Sequence, residues 1–222
     1  PGTIVTGLVE YFSDTTVSEG YQKYEQWLND RITHKDHWDW VYRECVIASP
    51  NWMVRKTDLE VIEGFSDLSY PEDYDLTLKW HQHDFQVKSI AEVTLLWREH
   101  PERTSRNSDH YSQKSFFRLK LARFIEHKLG GSNLILWGTG TKGRLTAEIL
   151  KGLNITFSWM DLEESKHSKN ILNIPIRSFK DIEGFENFKL LISVYPESNQ
   201  LEALTNYLDD LNLHIGRDYW FL

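Results

Sequence analysis

Two places in this sequence combine residue types and spacings that can do chemistry. The first is the acidic run Glu72-Asp73-Tyr-Asp75, preceded by Tyr70-Pro71. A carboxylate within hydrogen-bond reach of a hydroxyl can take its proton as that oxygen attacks an electrophile. The same acids have a second reading, because acidic side chains suit the positive end of a helix dipole. Further along, Trp97-Arg98-Glu-His100 supplies a guanidinium and an imidazole. An imidazole joined by oxygen ligands can hold a divalent ion that offsets phosphate charge. Arg98 could face the same phosphates or simply pair with an acid, and Trp52 and Lys56 are further candidates for substrate contacts.

The second place is Gly138-x-Gly140-x-x-Gly143, which follows the apolar run Leu134-Ile-Leu-Trp137 and opens a helical stretch. Such glycines let backbone approach a phosphate, and the helix N-terminus favours its charge. Asp161 ends the next apolar run, where an acid can accept hydrogen bonds from a ribose. The bland alternative is a structural or docking role. The segment 131–222 is short for a full dinucleotide fold, so nucleotide, nucleotide-sugar, NAD(P) and no ligand all stay open.

The elements that must position these residues follow from pattern. A β-branched and aromatic run over 3–12 reads as a strand, and 21–31 as a helix with Tyr24, Trp27 and Leu28 on one face. A loop is expected over 33–40, then short strands over 41–47 and 52–55. A helix over 57–62 follows, with Thr57 and Glu60 as its capping box. A helix over 74–83 carries the acids at its start. Strands over 85–90 and 93–98 come next, then a polar loop over 101–109 and an amphipathic helix over 112–129 ended by Gly130-Gly131. Beyond it, strands at 134–137, 155–160 and 189–194 alternate with helices at 144–153 and 200–211. That alternation predicts a small parallel α/β domain over 131–222, with a separate domain over 1–130.

Composition narrows the classes. The chain has 222 residues with a net charge of −8, which argues against nucleic acid as the main partner. Cys45 is the only cysteine, so no intrachain disulfide or all-cysteine metal site can form, and a reducing, cytoplasmic setting fits. No apolar run reaches the roughly 18 residues of a membrane span, and the first residues carry no signal-peptide pattern. The 112–129 helix carries Lys114, Arg118, Lys120, Arg123 and Lys128. It could lie on an anionic membrane surface or pack between the domains. Nine tryptophans suit both cores and clefts; Trp27, Trp38 and Trp40 are candidates to line a sugar-binding cleft.

The order Gly64-Phe65, Glu72-Asp73-Tyr-Asp-Leu76, Trp97-Arg98-Glu-His100 and Ser105 resembles the second half of a family-2 glycosyltransferase of the GT-A type. The likeness spans about 3–128. It implies transfer of a sugar from a nucleotide-sugar donor to a glycan or lipid-linked acceptor, with inversion. It makes Asp73 the catalytic base, Glu72 its helper at the acceptor, and His100 a ligand of a divalent ion, Mg or Mn. That family's donor-binding half and its Asp-x-Asp metal motif lie upstream of what is seen here, so this chain is expected to be incomplete as an enzyme. Asp73-Tyr-Asp75 has Asp-x-Asp spacing but sits where the base motif belongs, so Asp75 is not expected to bind metal. The segment after Gly131, with Lys142-Gly143-Arg144 and Ile174-Pro-Ile176, looks like small Rossmann-like domains appended to some glycosyltransferases and methyltransferases.

Overall fold

A computed structural model describes residues 2–66, 71–100, 111–163, 169–195 and 198–222. Tyr70, Ser105 and the expected loop over 101–109 lie outside the described residues. The chain forms two compact units, Pro1–Leu119 and Lys120–Leu222, dividing earlier than Gly130-Gly131.

The first unit is built on a small sheet. Strand β1 (Thr3–Phe12) pairs in parallel with the long β3 (Gln86–Arg98) and antiparallel with the short β2 (Met53–Val54), giving the order β2-β1-β3. Helix α1 (Glu19–His34) buries Leu28 and Ile32, and Leu28 joins Val9, Tyr11 and Ala48 in a core cluster. A 3-10 turn at His37–Trp40 stands where a loop was expected, and helices α2 (Lys56–Val61) and α3 (Glu72–Gln82) complete the described helices before β3. Burial of Tyr74, Leu76, Leu78 and Trp80 makes α3 a largely internal helix.

Three further expectations change here. The strands expected over 85–90 and 93–98 are one strand, because β3 absorbs the interruption as register shifts around Gly7 and Leu8. Asn51 fills that irregularity: its amide donates to the Gly7 carbonyl at 2.8 Å and accepts from the Thr94 hydroxyl at 2.7 Å. A Cβ at Gly7 would come within 2.4 Å of the Thr94 hydroxyl, so glycine is needed there. The segment 41–47 is not a strand but a run of turns and bends. It is nonetheless buried, and side chains serve its backbone: Tyr74 donates to the Val41 carbonyl at 2.7 Å and Tyr24 to the Cys45 carbonyl at 2.9 Å. Finally, α2 starts one residue earlier than expected, with Arg55 as its N-cap and no side-chain cap bond, so the Thr57–Glu60 box does not form.

In the second unit, the end of helix α4 (Gln113–Phe124) passes into a π-helical turn at Ile125–Leu129. A six-stranded sheet follows, in the order β6-β7-β5-β4-β8-β9. Its strands are β4 (Asn133–Trp137), β5 (Phe157–Asp161), β6 (Asn170–Ile171), β7 (Ile174–Ser178), β8 (Phe188–Ile192) and β9 (Tyr219–Phe221). All neighbours run parallel except β6 and β7, a hairpin turned by Leu172 and Asn173 at positive φ. Helices α5 (Thr141–Gly152) and α6 (Ser198–Asp210) complete the alternation. Residues 134–137 and 190–192 are buried throughout, as a two-faced parallel sheet requires. This is a Rossmann-like α/β unit. The edge strands β6 and β9, and β7 beside β6, are too short or too interrupted to show in the apolar pattern.

Among the described residues no helix is long and apolar enough to cross a membrane. The basic residues of α4 do not form one exposed stripe: Lys114 and Arg118 are exposed, Lys120 is buried, and Arg123 pairs with Glu126 at 3.6 Å.

Candidate functional sites

Asp73 and Glu72 stand in the first turn of α3, whose N-cap is Pro71 and has no side-chain cap bond. Asp73 Oδ1 accepts from the Tyr74 amide at 2.7 Å, and the Thr77 hydroxyl donates to the Asp73 carbonyl at 3.0 Å. Both Glu72 carboxylate oxygens accept from the Tyr111 hydroxyl at 2.7 Å. Glu72 is thus held by a residue far along the chain, while Asp73 is partly open. Burial pushes the Asp73 carboxyl above its ordinary value of 3.8; the Tyr74 amide opposes this, and the charges of Glu72 and Glu44 add to it.

Behind Asp73 lies a set of groups that sequence reasoning missed. The Cys45 thiol donates to the Ile47 carbonyl at 3.2 Å and lies 3.5 Å from the Thr77 hydroxyl. Burial, with the Asp73 charge second, raises that thiol well above its usual range, so it is an inert packing group rather than a nucleophile. Glu44 Oε1 accepts from the Cys45 amide at 3.0 Å, which fixes a third carboxylate near Asp73. Neither Glu44 nor Tyr111 belongs to a motif, and only the fold brings them here.

The other candidates of this unit are placed apart. Arg98 ion-pairs with Asp14 at the exposed end of β3. Trp52 packs edge-on against Trp80, with ring centroids 5.1 Å apart. Lys56 is exposed and faces Glu60 at 3.7 Å. Among the described residues, none of the three shares a hydrogen bond, ion pair or ring contact with Asp73 or Glu72. His100 is exposed just beyond β3, and Asp75 is fully buried. Among the described residues no group of three His, Cys, Asp or Glu side chains could hold a metal ion. Of the ligands expected for Mg or Mn, the described residues supply His100 alone. Of the three tryptophans proposed for a cleft, Trp27 and Trp40 instead flank the buried Arg31 guanidinium, 5.6 and 5.0 Å from it.

The glycine turn is better formed. Gly138 has φ +105, a conformation that favours glycine, and a Cβ at Gly143 would lie 2.0 Å from the Gly138 carbonyl oxygen. Gly140, the N-cap of α5, has nothing within 4 Å of a Cβ position, so a ligand can approach its backbone closely. Asp161 accepts from the Thr139 amide at 2.9 Å and the Thr139 hydroxyl at 2.6 Å through one oxygen, and from the Glu163 amide at 3.0 Å through the other. Its visible work is to brace the turn.

Gly140, Thr139 and Asp161 line a crevice of about 800 Å³, together with Trp137, Phe179, Ser193 and Tyr207. Trp137 stacks on Phe179 at 3.7 Å between centroids, and Phe179 meets Tyr207 at 5.7 Å, giving one aromatic wall. The crevice lies at the carboxyl ends of β4, β5 and β8. There the chain has wound outward through β5 and β7 before crossing to β8, the switch point where open α/β sheets bind ligands. Of its lining, only Gly140 and Asp161 are readable as parts of a motif.

No family model matches the sequence, and no curated protein does. Among solved structures, UDP-D-quinovosamine 4-dehydrogenase from Vibrio fischeri is 22% identical with a TM-score of 0.28, over 39% of this chain and 89% of that one. RSP, a Rex-family repressor, is 11% identical with a TM-score of 0.35, over 94% of this chain and 88% of that one. At these scores neither likeness bears on what this chain does, and the Rossmann-like assignment rests on its own strand order.

Proposed function

We propose that this chain serves an inverting glycosyltransferase, with Asp73 as the base that activates the acceptor. The supporting observation is Asp73 itself: a partly open carboxylate at a helix start, made more basic by burial and by two neighbouring acids. A stronger base takes a hydroxyl proton more readily as attack proceeds. The acceptor oxygen bonds to the anomeric carbon while the bond from that carbon to the nucleoside diphosphate breaks, and the proton passes to Asp73. Glu72, fixed by Tyr111, orients the acceptor through its hydroxyls. The acceptor is a glycan or a lipid-linked glycan, and the donor a nucleotide-sugar. The test is to incubate the intact protein with UDP- and GDP-hexoses and such acceptors. Acceptor-dependent release of nucleoside diphosphate, with inverted product, is expected; no release across the panel would contradict the reading.

A second reading has its own observation. The crevice beside Gly140 suits a nucleotide or nucleotide-sugar, with phosphate at the α5 N-terminus and the base against Trp137, Phe179 and Tyr207. In that case the second unit is a binding or regulatory module. Equilibrium dialysis with UDP, GDP and UDP-N-acetylglucosamine checks it, and absence of saturable binding removes it.

A further inference from the structure

The two edges of the first unit's sheet are treated differently. Where β2 ends, side chains close the outer edge of β1. The Asn51 amide donates to the Gly7 carbonyl at 2.8 Å, and the Asn29 side chain both accepts from the Val9 amide and donates to the Val9 carbonyl at 2.9 Å. At the other edge, β3 pairs with β1 alone. The Trp38 indole takes the Phe85 carbonyl at 2.8 Å, and there the closure stops.

The Gln86 amide donates to the Gly2 carbonyl, so Gln86, Lys88 and Ile90 turn their peptide groups toward β1. Ala91 and Glu92 have no partner in β1, and the Glu92 carbonyl lies 3.0 Å from a Cβ at Gly7, again on the β1 side. Alternation leaves Val87, Ser89, Ala91 and Val93 facing outward. Among the described residues, no backbone hydrogen bond closes this stretch. An open edge of this kind is a template for another strand.

Ile90 and Val93 are 39% and 48% exposed. Lys88 and Glu92 are also exposed, and neither makes an ion pair. Lone charges on an edge repel incoming strands. These two cancel in one antiparallel arrangement, a two-fold axis at Ile90. Lys88 then faces Glu92 of the second copy twice over, Ile90 faces Ile90, and Val87 faces Val93. The outward residues pair as Val87 with Val93 and Ser89 with Ala91, exchanging hydrogen bonds. The charged pairs and the isoleucines occupy the intervening positions, where Cα atoms approach to about 4.5 Å. Axes at Lys88 or Glu92 instead bring like charges face to face.

We propose that β3 pairs antiparallel with β3 of a second copy of this chain, about a two-fold axis at Ile90, joining two sheets into one. The contact closes on itself, so it makes a dimer and no larger assembly.

Sedimentation velocity of the intact chain over a micromolar concentration series tests this. Wild type is expected to shift reversibly from monomer to dimer. Lys88→Glu and Glu92→Lys each replace two attractive pairs by two repulsive ones, and each is expected to weaken the dimer at least about tenfold. The double variant Lys88→Glu with Glu92→Lys restores both pairs and is expected to return to within about threefold of wild type. Unfolding curves verify that the variants keep the fold; Ile90→Lys, which sets two cations face to face at the axis, is a further variant expected to be monomeric. A wild type that stays monomeric, one that grows beyond a dimer, single variants that dimerise as wild type does, or a double variant no better than the singles would each overturn the proposal.

Discussion

Asp73 carries a conflict between stability and reactivity. Its carboxyl holds a proton more tightly in the folded chain than at its ordinary value of 3.8, chiefly through burial. The sign follows from linkage: the folded state favours the protonated form, so this group destabilises the fold as pH rises through and above that window. Asp73→Asn is therefore expected to raise the melting temperature at neutral pH, with the gain fading as pH falls toward 3.8. Thermal melts of both proteins across that range check it. His37 runs the other way. Burial and Arg31 lower it from 6.5 to about 4, so its contribution is intact above 6.5 and is lost as pH falls toward 4. The slope is about 1.4 kcal/mol per pH unit, or on the order of 3 kcal/mol in all. Urea unfolding from pH 7 to pH 4 should show this loss, and His37→Leu should flatten it. The acids of α3 are legible in the sequence because they form a local pattern. Tyr111 and Glu44 are not, since a hydrogen bond spanning 39 residues leaves no local trace.

The glycine turn separates conformational need from ligand need. Gly143 faces the Gly138 carbonyl oxygen at 2.0 Å from a Cβ position, whereas Gly140 faces open space. Gly143→Ala is expected to destabilise by about 1–3 kcal/mol, the usual cost of overpacking against atoms that cannot yield. Gly140→Ala should change stability by less than about 0.5 kcal/mol while weakening any phosphate held at the α5 N-terminus. Denaturant unfolding of the two variants, followed by nucleotide titration of the stable one, separates these effects. Strand–helix alternation and the apolar runs make the centre of this unit readable. The 41–47 segment misleads because its apolar residues have a strand's pattern while side chains such as Tyr24 and Tyr74 satisfy its backbone. Strands of two or three residues, such as β6 and β9, are set by their neighbours in the sheet and leave too short a pattern to detect.

For the molecule as a whole, two units carry two kinds of site. The first holds a basic carboxylate with acidic neighbours, and the second a crevice at a sheet's switch point. A nucleotide that binds the crevice should stabilise the protein by mass action, by about 2.7 kcal/mol at a hundredfold excess over its dissociation constant. A thermal-shift series with UDP, GDP, UDP-N-acetylglucosamine and NAD measures that and separates the ligand classes. The parallel sheet and the acidic helix start are written in local sequence patterns, through apolar runs and charge placement. The aromatic wall of the crevice is not, because Trp137, Phe179 and Tyr207 meet only once the sheet has formed. The central claim remains that Asp73 takes the acceptor's proton during sugar transfer. Its most direct test is acceptor-dependent turnover of a nucleotide-sugar by Asp73→Asn in the intact protein, alongside wild type. A fall of roughly 10²–10⁴-fold with the fold retained is the predicted result; turnover at the wild-type rate would contradict the account.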